Sequence, residues 1–285
     1  MLSSVAPLPL TSLSTWQTVV KYTNICRTAL IERLAYRGDF FFGTLLRFLP
    51  MLTTILLWTA IYKGAGTDTL SIFRFNEMIA YLLLVHVSRM FSSMPGLSTG
   101  IARDIRQGEL KKYLVQPLDM IGWLLAYRIA HKIAYIVTAI PPYAIIFGLS
   151  WSYFDTAPWG WQLPAYLISL ILGFVIGFFF EVCIGCIGFW MLEVTSILYI
   201  ITTVTFFISG QMFPLDLLPE GWVVFLKSLP FSYLAYFPTM VFLNKITGME
   251  LVYGLFKGIG WAVGCMFFAR FLYQRGLKRY SAFGG

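Results

Sequence analysis

Three charged side chains stand inside otherwise apolar stretches of the sequence, where an ion needs either a partner or a function. They are Arg47, Arg89 and Glu181. A charge removed from water costs several kcal/mol when nothing compensates it, so we expect an ion pair. Glu181 and Arg89 are predicted to lie at a similar depth, with Arg47 as the next partner to consider. Such a pair either fixes the register of two helices or takes a direct part in a substrate path or gate.

Glu181 belongs to a row of small residues at intervals of four, together with Gly173, Gly177 and Gly185. Residues four apart share one face of a helix. Small residues on that face allow a neighbouring helix to approach closely. We therefore expect this face, including the carboxylate, to contact protein and not lipid.

The other reactive residue types form no recognisable catalytic motif. Cys183 and Cys186 have CxxC spacing but lie in an apolar helix without further ligands, which favours packing over metal binding or redox chemistry. The two histidines, His86 and His131, do not begin an HExxH motif. No GxxxxGK[ST] phosphate loop occurs either. We expect no enzymatic activity, metal or cofactor for this chain itself.

The composition places these residues in a membrane. The chain has 285 residues, of which 58% are apolar and 12% charged, and its mean hydropathy is +0.75. Soluble globular proteins carry about 25% charged residues, so this chain cannot cover itself with a water-soluble surface. Residues 1–15 have no basic residue and no clear cleavage site. They are predicted to be a disordered cytosolic tail before one transmembrane domain, 16–285.

Six apolar stretches are close to the roughly 20 residues that a helix needs to cross a bilayer. The predicted spans of this all-α membrane protein are 40–62, 75–98, 125–149, 164–190, 194–212 and 250–272. Before the first span, apolar residues recur among basic ones, which predicts an amphipathic helix lying in the membrane interface. These apolar residues are Trp16, Val20, Ile25, Leu30 and Leu34.

The stretch between the fifth and sixth spans, 211–245, is apolar but interrupted by prolines. They are Pro214, Pro219, Pro230 and Pro238. The uninterrupted pieces are too short to cross a bilayer, and a proline inside a helix breaks it. The pattern predicts re-entrant or interfacial helices.

Lysine and arginine indicate the orientation. With a cytosolic N-terminus, 14 of them fall on the cytosolic side and only four on the other. The cytosolic ones are Lys21, Arg27, Arg33, Arg37, Arg103, Arg106, Lys111, Lys112, Arg128, Lys132, Arg270, Arg275, Lys278 and Arg279, and the others are Lys63, Arg74, Lys227 and Lys245. This bias predicts that both termini are cytosolic. The net charge of +8 then lies along the membrane face and requires no nucleic acid.

The most charged stretch is RDIRQGELKKYLVQPLD, residues 103–119, in the cytosolic loop after the second span. Leu110 and Leu114 are four apart with Tyr113 beside them, so a short helix would present an apolar patch flanked by charges. Two interpretations follow. The stretch is either a solvated loop whose charge fixes topology or a docking surface for a soluble partner.

Three motifs resemble the ABC-2-type permease family, the membrane subunits of bacterial ABC exporters. They are IRQGELKKYLVQPLD after the second span, ISGQMFPLDLLPEGWVVFLKSLPFSYLAYFPTMVFL after the fifth and RGLKRYSAFGG at the end. In that family the loop after the second span is a coupling helix, which sits in a groove of a separately encoded ATPase. The resemblance implies that the residues of this coupling helix are Arg106, Gly108, Glu109, Leu110, Tyr113, Leu114 and Pro117.

The resemblance implies a permease in the bacterial inner membrane that dimerises with itself or a sister permease. Two ATPase subunits would hold ATP and Mg, and the substrate would be exported: a lipid-linked glycan, a peptide, a hydrophobic drug or another amphiphile. The amphipathic segment resembles the family's elbow helix, and 211–245 its extracellular re-entrant pair. The alternative is a passive channel or ion-coupled carrier using 211–245. The sequence of an ion-coupled carrier would be expected to contain paired acidic residues at mid-membrane or an inverted repeat.

Overall fold

The computed structural model describes residues 15–35, 48–115, 119–154, 160–191 and 194–280. These parts of the chain are almost entirely helical. The helices are α1 (Thr15–Ala35), α2 (Phe48–Ala65), α3 (Phe75–Ser92), α4 (Leu97–Arg106), α5 (Lys111–Leu114), α6 (Met120–Leu149), α7 (Gln162–Gly185), α8 (Thr195–Ile208), α9 (Glu220–Ser228), α10 (Tyr236–Phe242) and α11 (Gly248–Leu277). Single 3-10 turns cover Trp151–Tyr153, Cys186–Phe189, Leu215–Leu217 and Pro230–Leu234. Strands β1 (Thr69–Leu70) and β2 (Phe73–Arg74) form a two-residue antiparallel hairpin.

Four helical segments in the described ranges are long and apolar enough to cross a membrane. They are Phe75–Arg106, Met120–Leu149, Gln162–Phe189 and Gly248–Leu277. The first of them joins α3 and α4 across a short break. These segments correspond to the second, third, fourth and sixth predicted spans. The expected all-helical architecture is therefore confirmed.

The described structure covers the first predicted span only in part, and the helix within the fifth is shorter than the predicted span. Helix α2 covers 18 residues, and the preceding stretch, including Arg47, lies outside the described residues. Helix α8 has 14 residues, which is about 21 Å at about 1.5 Å per residue and less than the roughly 30 Å hydrocarbon core. Gly210, with φ +76°, turns the chain soon after α8 ends. The span predicted over 194–212 is thus only partly a helix.

Helix α7 lies at the centre of the bundle and packs against α3, α4, α10 and α11. Its small residues are what allow this. A Cβ added to Gly173 would come within 2.7 Å of the Tyr233 carbonyl oxygen, and one on Gly185 within 2.7 Å of the Ile101 Cβ. A Cβ on Gly177 would collide with the backbone of the α3 C-terminus. The prediction that this face contacts protein is confirmed.

The proline-rich stretch after α8 consists of short pieces, as predicted. Pro214 and Pro219 stand just before the turn Leu215–Leu217 and helix α9, and Pro230 opens the next turn. Pro238 was expected to interrupt the chain in the same way, but it lies inside α10 as its third residue. The first turn of a helix has no acceptor for its N–H groups, so a proline is accommodated there.

The second half of this stretch is buried in the bundle core. Tyr233, Tyr236 and Val241 are each at most 2% exposed. Polar groups of this part find internal partners: the Tyr236 N–H donates to the Ser209 carbonyl at 3.1 Å, and the Tyr233 side-chain hydroxyl donates to the Gly254 carbonyl at 2.7 Å. A buried polar group without a partner costs free energy, so these hydrogen bonds stabilise the buried part of the stretch.

Candidate functional site

The second membrane helix is broken between Ser92 and Leu97. Helix α3 ends at Ser92, and α4 begins after Gly96, which has a left-handed backbone with φ +72°. Pro95 precedes this glycine and cannot donate a backbone hydrogen bond. A helix end leaves carbonyl groups without helical partners, and a helix start leaves N–H groups without them. Both kinds of group are therefore present at this break.

The carbonyl side of the break is capped by cations from α6. Lys132 is only 7% exposed, and its ammonium group donates to the carbonyls of Met90 at 2.6 Å and Ser93 at 2.5 Å. One turn earlier, the Arg128 guanidinium donates to the Pro95 carbonyl at 3.1 Å. Positive charge at a helix C-terminus is favourable because the terminal carbonyls carry partial negative charge.

The N–H side of the break is capped by Glu181 of α7. Its carboxylate accepts hydrogen bonds from the hydroxyl and the backbone N–H of Ser98, in the first turn of α4, and the positive charge of Arg128 also faces it. The guanidinium carbon of Arg89, the partner predicted from depth, lies 5.5 Å from the centre of the Phe206 ring. The structure thus adds Ser98 and Arg128 to the groups around the carboxylate, and the pair with Arg89 stays a prediction.

We call the arrangement of Lys132, Arg128 and Glu181 around the break the clasp. Sequence reasoning singled out Glu181 but missed the clasp roles of the other two. The available signal was a lysine and an arginine four residues apart at the start of an apolar helix, on one face. Their targets are backbone groups of another helix, which no side-chain pattern reveals.

A cavity of about 660 Å³ lies beside the clasp, between α3, α4, α6, α7 and α8. Small-molecule sites typically have 300 to 1,000 Å³, by a rough general range. The polar groups on its wall include His86, Arg89, Glu181, Thr202 and Gln211. Arg89 and Glu181 therefore line the same cavity.

The loop after α4 folds back onto the bundle. Gly108 takes a left-handed backbone with φ +76°, and the Glu109 N–H donates to the Asp104 carbonyl at 2.9 Å. Lys112 pairs with Asp104 at 2.7 Å. Arg106 lies in the last turn of α4, and Pro117 lies outside the described residues. Gly108 is thus the residue at which the chain turns back after α4.

The predicted apolar patch of this loop needs correction. Leu110 is 0% and Tyr113 6% exposed, and the Tyr113 ring lies 5.5 Å from that of Trp123 on α6. Only Leu114, 51% exposed, faces outward, together with Val115, 83% exposed, which was not predicted. Because the chain turns at Gly108, Leu110 and Tyr113 extend the buried face of α4. Both side chains pack into the core of the helix bundle and are not available to a partner.

The residue that ends the loop ties three helices together. The Asp119 carboxylate accepts from the Gly122 N–H at 2.9 Å, which caps α6, and pairs with Arg270 of α11 at 3.1 Å. Tyr22 of α1 lies nearby, and burial together with the Asp119 charge raises the pKa of its hydroxyl. The Cys26 thiol of α1 also donates to the Ala126 carbonyl at 3.3 Å. Helix α1 is therefore attached to the end of the bundle that carries α5.

Ion pairs brace the opposite end, near the β-hairpin. Asp216 pairs with Lys227 at 2.7 Å and accepts from the Tyr236 hydroxyl at 2.8 Å. Burial, and then the Asp216 charge, raises the pKa of this tyrosine. Lys245 pairs with Glu77 at 2.6 Å. These contacts hold the proline-rich stretch against the start of α3.

The cysteines and histidines are not assembled into a reactive centre in the described parts of the chain. Cys183 and Cys186 are free thiols, and His86 places its Nδ1 2.9 Å from the Leu82 carbonyl oxygen. Over the ranges that the structure covers, no group of three or more His, Cys, Asp or Glu residues is placed to hold a metal ion.

Comparison with known proteins gives one informative result. No curated relative matches the sequence. The family model described as "ABC-2 family transporter protein" matches residues 48–284. This range includes the four membrane-crossing segments, the broken second helix and the proline-rich stretch. The resemblance expected from the three motifs is confirmed, and the chain belongs to the ABC-2 transporter family.

Proposed function

We propose that this ABC-2 permease is the membrane subunit of an exporter and that a separate ATPase docks on the loop 103–119. The proposal rests on one observation: one side of this loop is buried in the helix bundle and the other side is exposed. Leu110 and Tyr113 anchor it in the core, whereas Glu109, Leu114 and Val115 are exposed. We call the exposed residues, with Lys111 and Lys112, the docking surface. An apolar centre with a charged rim is the usual composition of a protein interface.

The anchoring of the loop supports a mechanism of coupling. ATP binding closes the two ATPase subunits and draws the docking surfaces of two permeases together. Because the loop is fixed to the core through Leu110 and Tyr113, it moves with α4 as one body. The start of α4 lies at the clasp and on the cavity wall. Movement at the docking surface therefore changes the cavity directly.

The finer features of the proposal are those that the sequence predicted. The permease has six spans in the bacterial inner membrane, with both termini cytosolic, α1 as the elbow helix and 211–245 as the extracellular re-entrant segment. It dimerises with itself or a sister permease. It hydrolyses nothing itself, since ATP and Mg belong to the partner ATPase. The positive-inside bias of lysine and arginine supports this orientation.

The channel or ion-carrier alternative is less well supported by the described geometry. An ion site in 211–245 would need oxygen ligands turned toward a path. The carboxylate of Asp216 is instead engaged by Lys227 and the Tyr236 hydroxyl. The segment is braced by these contacts, which fits a structural cap better than a filter.

The docking surface can be tested by co-purification of the ATPase with tagged permease from native membranes. We expect Val115→Asp combined with Glu109→Arg to detach the ATPase and abolish ATP-driven transport, both normalised to permease abundance. A matched control is Val224→Asp, at a 71% exposed position on α9, which should change neither. Tyr113→Ala is unsuitable because it would open the permease core. Wild-type ATPase recovery in the double variant would refute docking at this loop.

A further inference from the structure

The C-terminal motif RGLKRYSAFGG lies at the same end of the bundle as the docking surface, and the proposed docking does not use it. The structure describes its residues 275–280. They complete α11 and add one further turn. In this turn the Arg279 N–H donates to the Gly276 carbonyl at 2.9 Å, and the Tyr280 N–H donates to the Leu277 carbonyl at 3.2 Å. The helical course of the chain therefore continues to Tyr280, and its two faces can be compared.

One face of this segment packs against the loop that carries the docking surface. Gly276 is buried, and a Cβ added to it would collide with the Phe189 ring. The Tyr280 ring stands edge-on to the same phenylalanine, with the ring centres 6.2 Å apart. The Tyr280 side chain packs against the core cluster that contains Leu110, and its hydroxyl faces the Leu110 backbone and the charge of Glu109. The end of α11 therefore supports the buried side of this loop.

The opposite face of the segment continues the outward face of α11. Three phenylalanines there are each more than half exposed: Phe267, Phe268 and Phe271. Exposed cations follow at helical spacing, and we call them the cationic row: Arg275, Lys278 and Arg279. The guanidinium carbon of Arg275 lies 5.3 Å from the centre of the Phe271 ring. Apolar side chains followed by cations are typical of a helix that leaves the hydrocarbon core for the headgroup region.

The acidic side chains that the structure describes at this end have other partners. Asp104 pairs with a lysine of the docking surface, Asp119 pairs with Arg270, and Glu109 faces Tyr280. Within the described ranges, none of them forms an ion pair with the cationic row. The row therefore presents positive charge where the outward face of α11 ends. The cytosolic leaflet contains anionic lipids, which attract cations placed next to a membrane helix.

We propose that the cationic row binds the headgroup of an anionic phospholipid in the cytosolic leaflet and that the bound lipid fixes the docking surface through Tyr280. The lipid tails lie along the exposed phenylalanines of α11. The row and Tyr280 stand on opposite faces of the same turn, so holding one face positions the other. This inference rests on the proposed function, because it gives the proposed docking surface a lipid requirement.

Lipid binding is tested on the permease alone, in dodecyl maltoside. The probe is dioctanoyl phosphatidylglycerol, and dioctanoyl phosphatidylcholine has the same tails without the net negative charge. Native mass spectrometry measures the bound fraction of each. We expect the anionic lipid to bind more tightly, and loss of the row to weaken its binding by about tenfold or more, because each cation near the lipid contributes to the attraction.

Two matched variants control for net charge and for folding. The row variant combines Arg275→Gln, Lys278→Gln and Arg279→Gln. The control variant removes three exposed cations elsewhere: Arg27→Gln, Lys63→Gln and Arg103→Gln. The control should keep the affinity of the wild type for phosphatidylglycerol. Arg275→Lys combined with Arg279→Lys keeps the charge of the row and should also bind like the wild type.

The effect on the docking surface is measured with a nitroxide spin label on Val115→Cys in a Cys-free chain. Val115 is 83% exposed, so the label reports the mobility of the docking surface. We expect phosphatidylglycerol to broaden the spectrum, because the loop becomes less mobile, and phosphatidylcholine to leave it unchanged. Tyr280→Ala should still bind phosphatidylglycerol but lose the broadening. Tyr280→Phe keeps the ring and should respond like the parent chain.

Several outcomes would overturn the proposal. They are equal binding of the two lipids, an equal loss of affinity in the control variant, and unchanged broadening in Tyr280→Ala. Displacement of the probe by glycerol phosphate at equal concentration would also overturn it, since that molecule has no tails. If the row variant instead converted a dimer to a monomer in light scattering with lipid selectivity unchanged, a second copy of the chain would cover this face. No ATPase is present, so these measurements test only the lipid site, whereas ATPase co-purification tests only the docking.

Discussion

The ammonium nitrogen of Lys132 lies 2.5 Å from the carbonyl oxygen of Ser93. Ser93 is the first residue after α3, and Lys132 belongs to the next membrane helix. The cation therefore replaces, for a broken helix, the hydrogen bonds that its continuation would have made. It also joins the second and third membrane helices at the level of the cavity.

The clasp lysine should be needed for a folded permease. Lys132→Met keeps an unbranched side chain of similar length but removes the donor that the Met90 and Ser93 carbonyls share. We expect a loss of about 1.5 to 3 kcal/mol in the free energy of unfolding, the range for hydrogen bonds to a charged group. Melting temperature and the yield of monodisperse protein in detergent measure it. Lys132→Arg should recover part of the loss, and Ile133→Met, at a half-exposed neighbour, should have no effect. Unchanged melting of Lys132→Met would contradict the clasp.

The carboxylate of the clasp should depend on Arg128. Glu181→Gln is expected to lower folded yield, because it removes the negative charge that faces Arg128. Arg128→Gln in the same chain should then restore much of the yield. The matched comparison is the double variant with Arg89→Gln, which tests the pair that depth alone predicted. Restoration by Arg89→Gln and not by Arg128→Gln would return the partnership to the sequence-based prediction.

The orientation of the permease can be checked by thiol labelling in intact cells. In a Cys-free background, Thr67→Cys lies in the exposed turn before β1, and Lys111→Cys lies on the docking surface. We expect an impermeant maleimide to label the first and not the second, since the bias of basic residues places α5 in the cytosol. Membrane permeabilisation should make both reactive, which controls for accessibility. Labelling of Lys111→Cys in intact cells would reverse the topology.

The sequence alone determined the features that depend on composition and spacing. An apolar content of 58% excludes a water-soluble surface and places the chain in a membrane. Long apolar helices follow, because a backbone group without a hydrogen-bond partner is costly in lipid. The small residues around Glu181 predicted a protein-facing stripe, since a glycine has no Cβ to hold a neighbour away. The prolines predicted short pieces between the last two spans because a proline removes a backbone donor. Each of these inferences uses residues that are near one another in the chain.

Tertiary structure decided which groups meet across the bundle. Leu110 and Tyr113 have the spacing of residues on one face of a helix. The turn at Gly108 places that face in the core, and only the contacts with distant helices reveal its burial. The similar depth of Glu181 and Arg89 predicted one partner for the carboxylate, and the break before α4 adds two more, Ser98 and Arg128. Lys132 has backbone carbonyls as its partners, and these are the same in every residue. Spacing along one helix defines its faces, whereas the partner of each face depends on how several helices pack together.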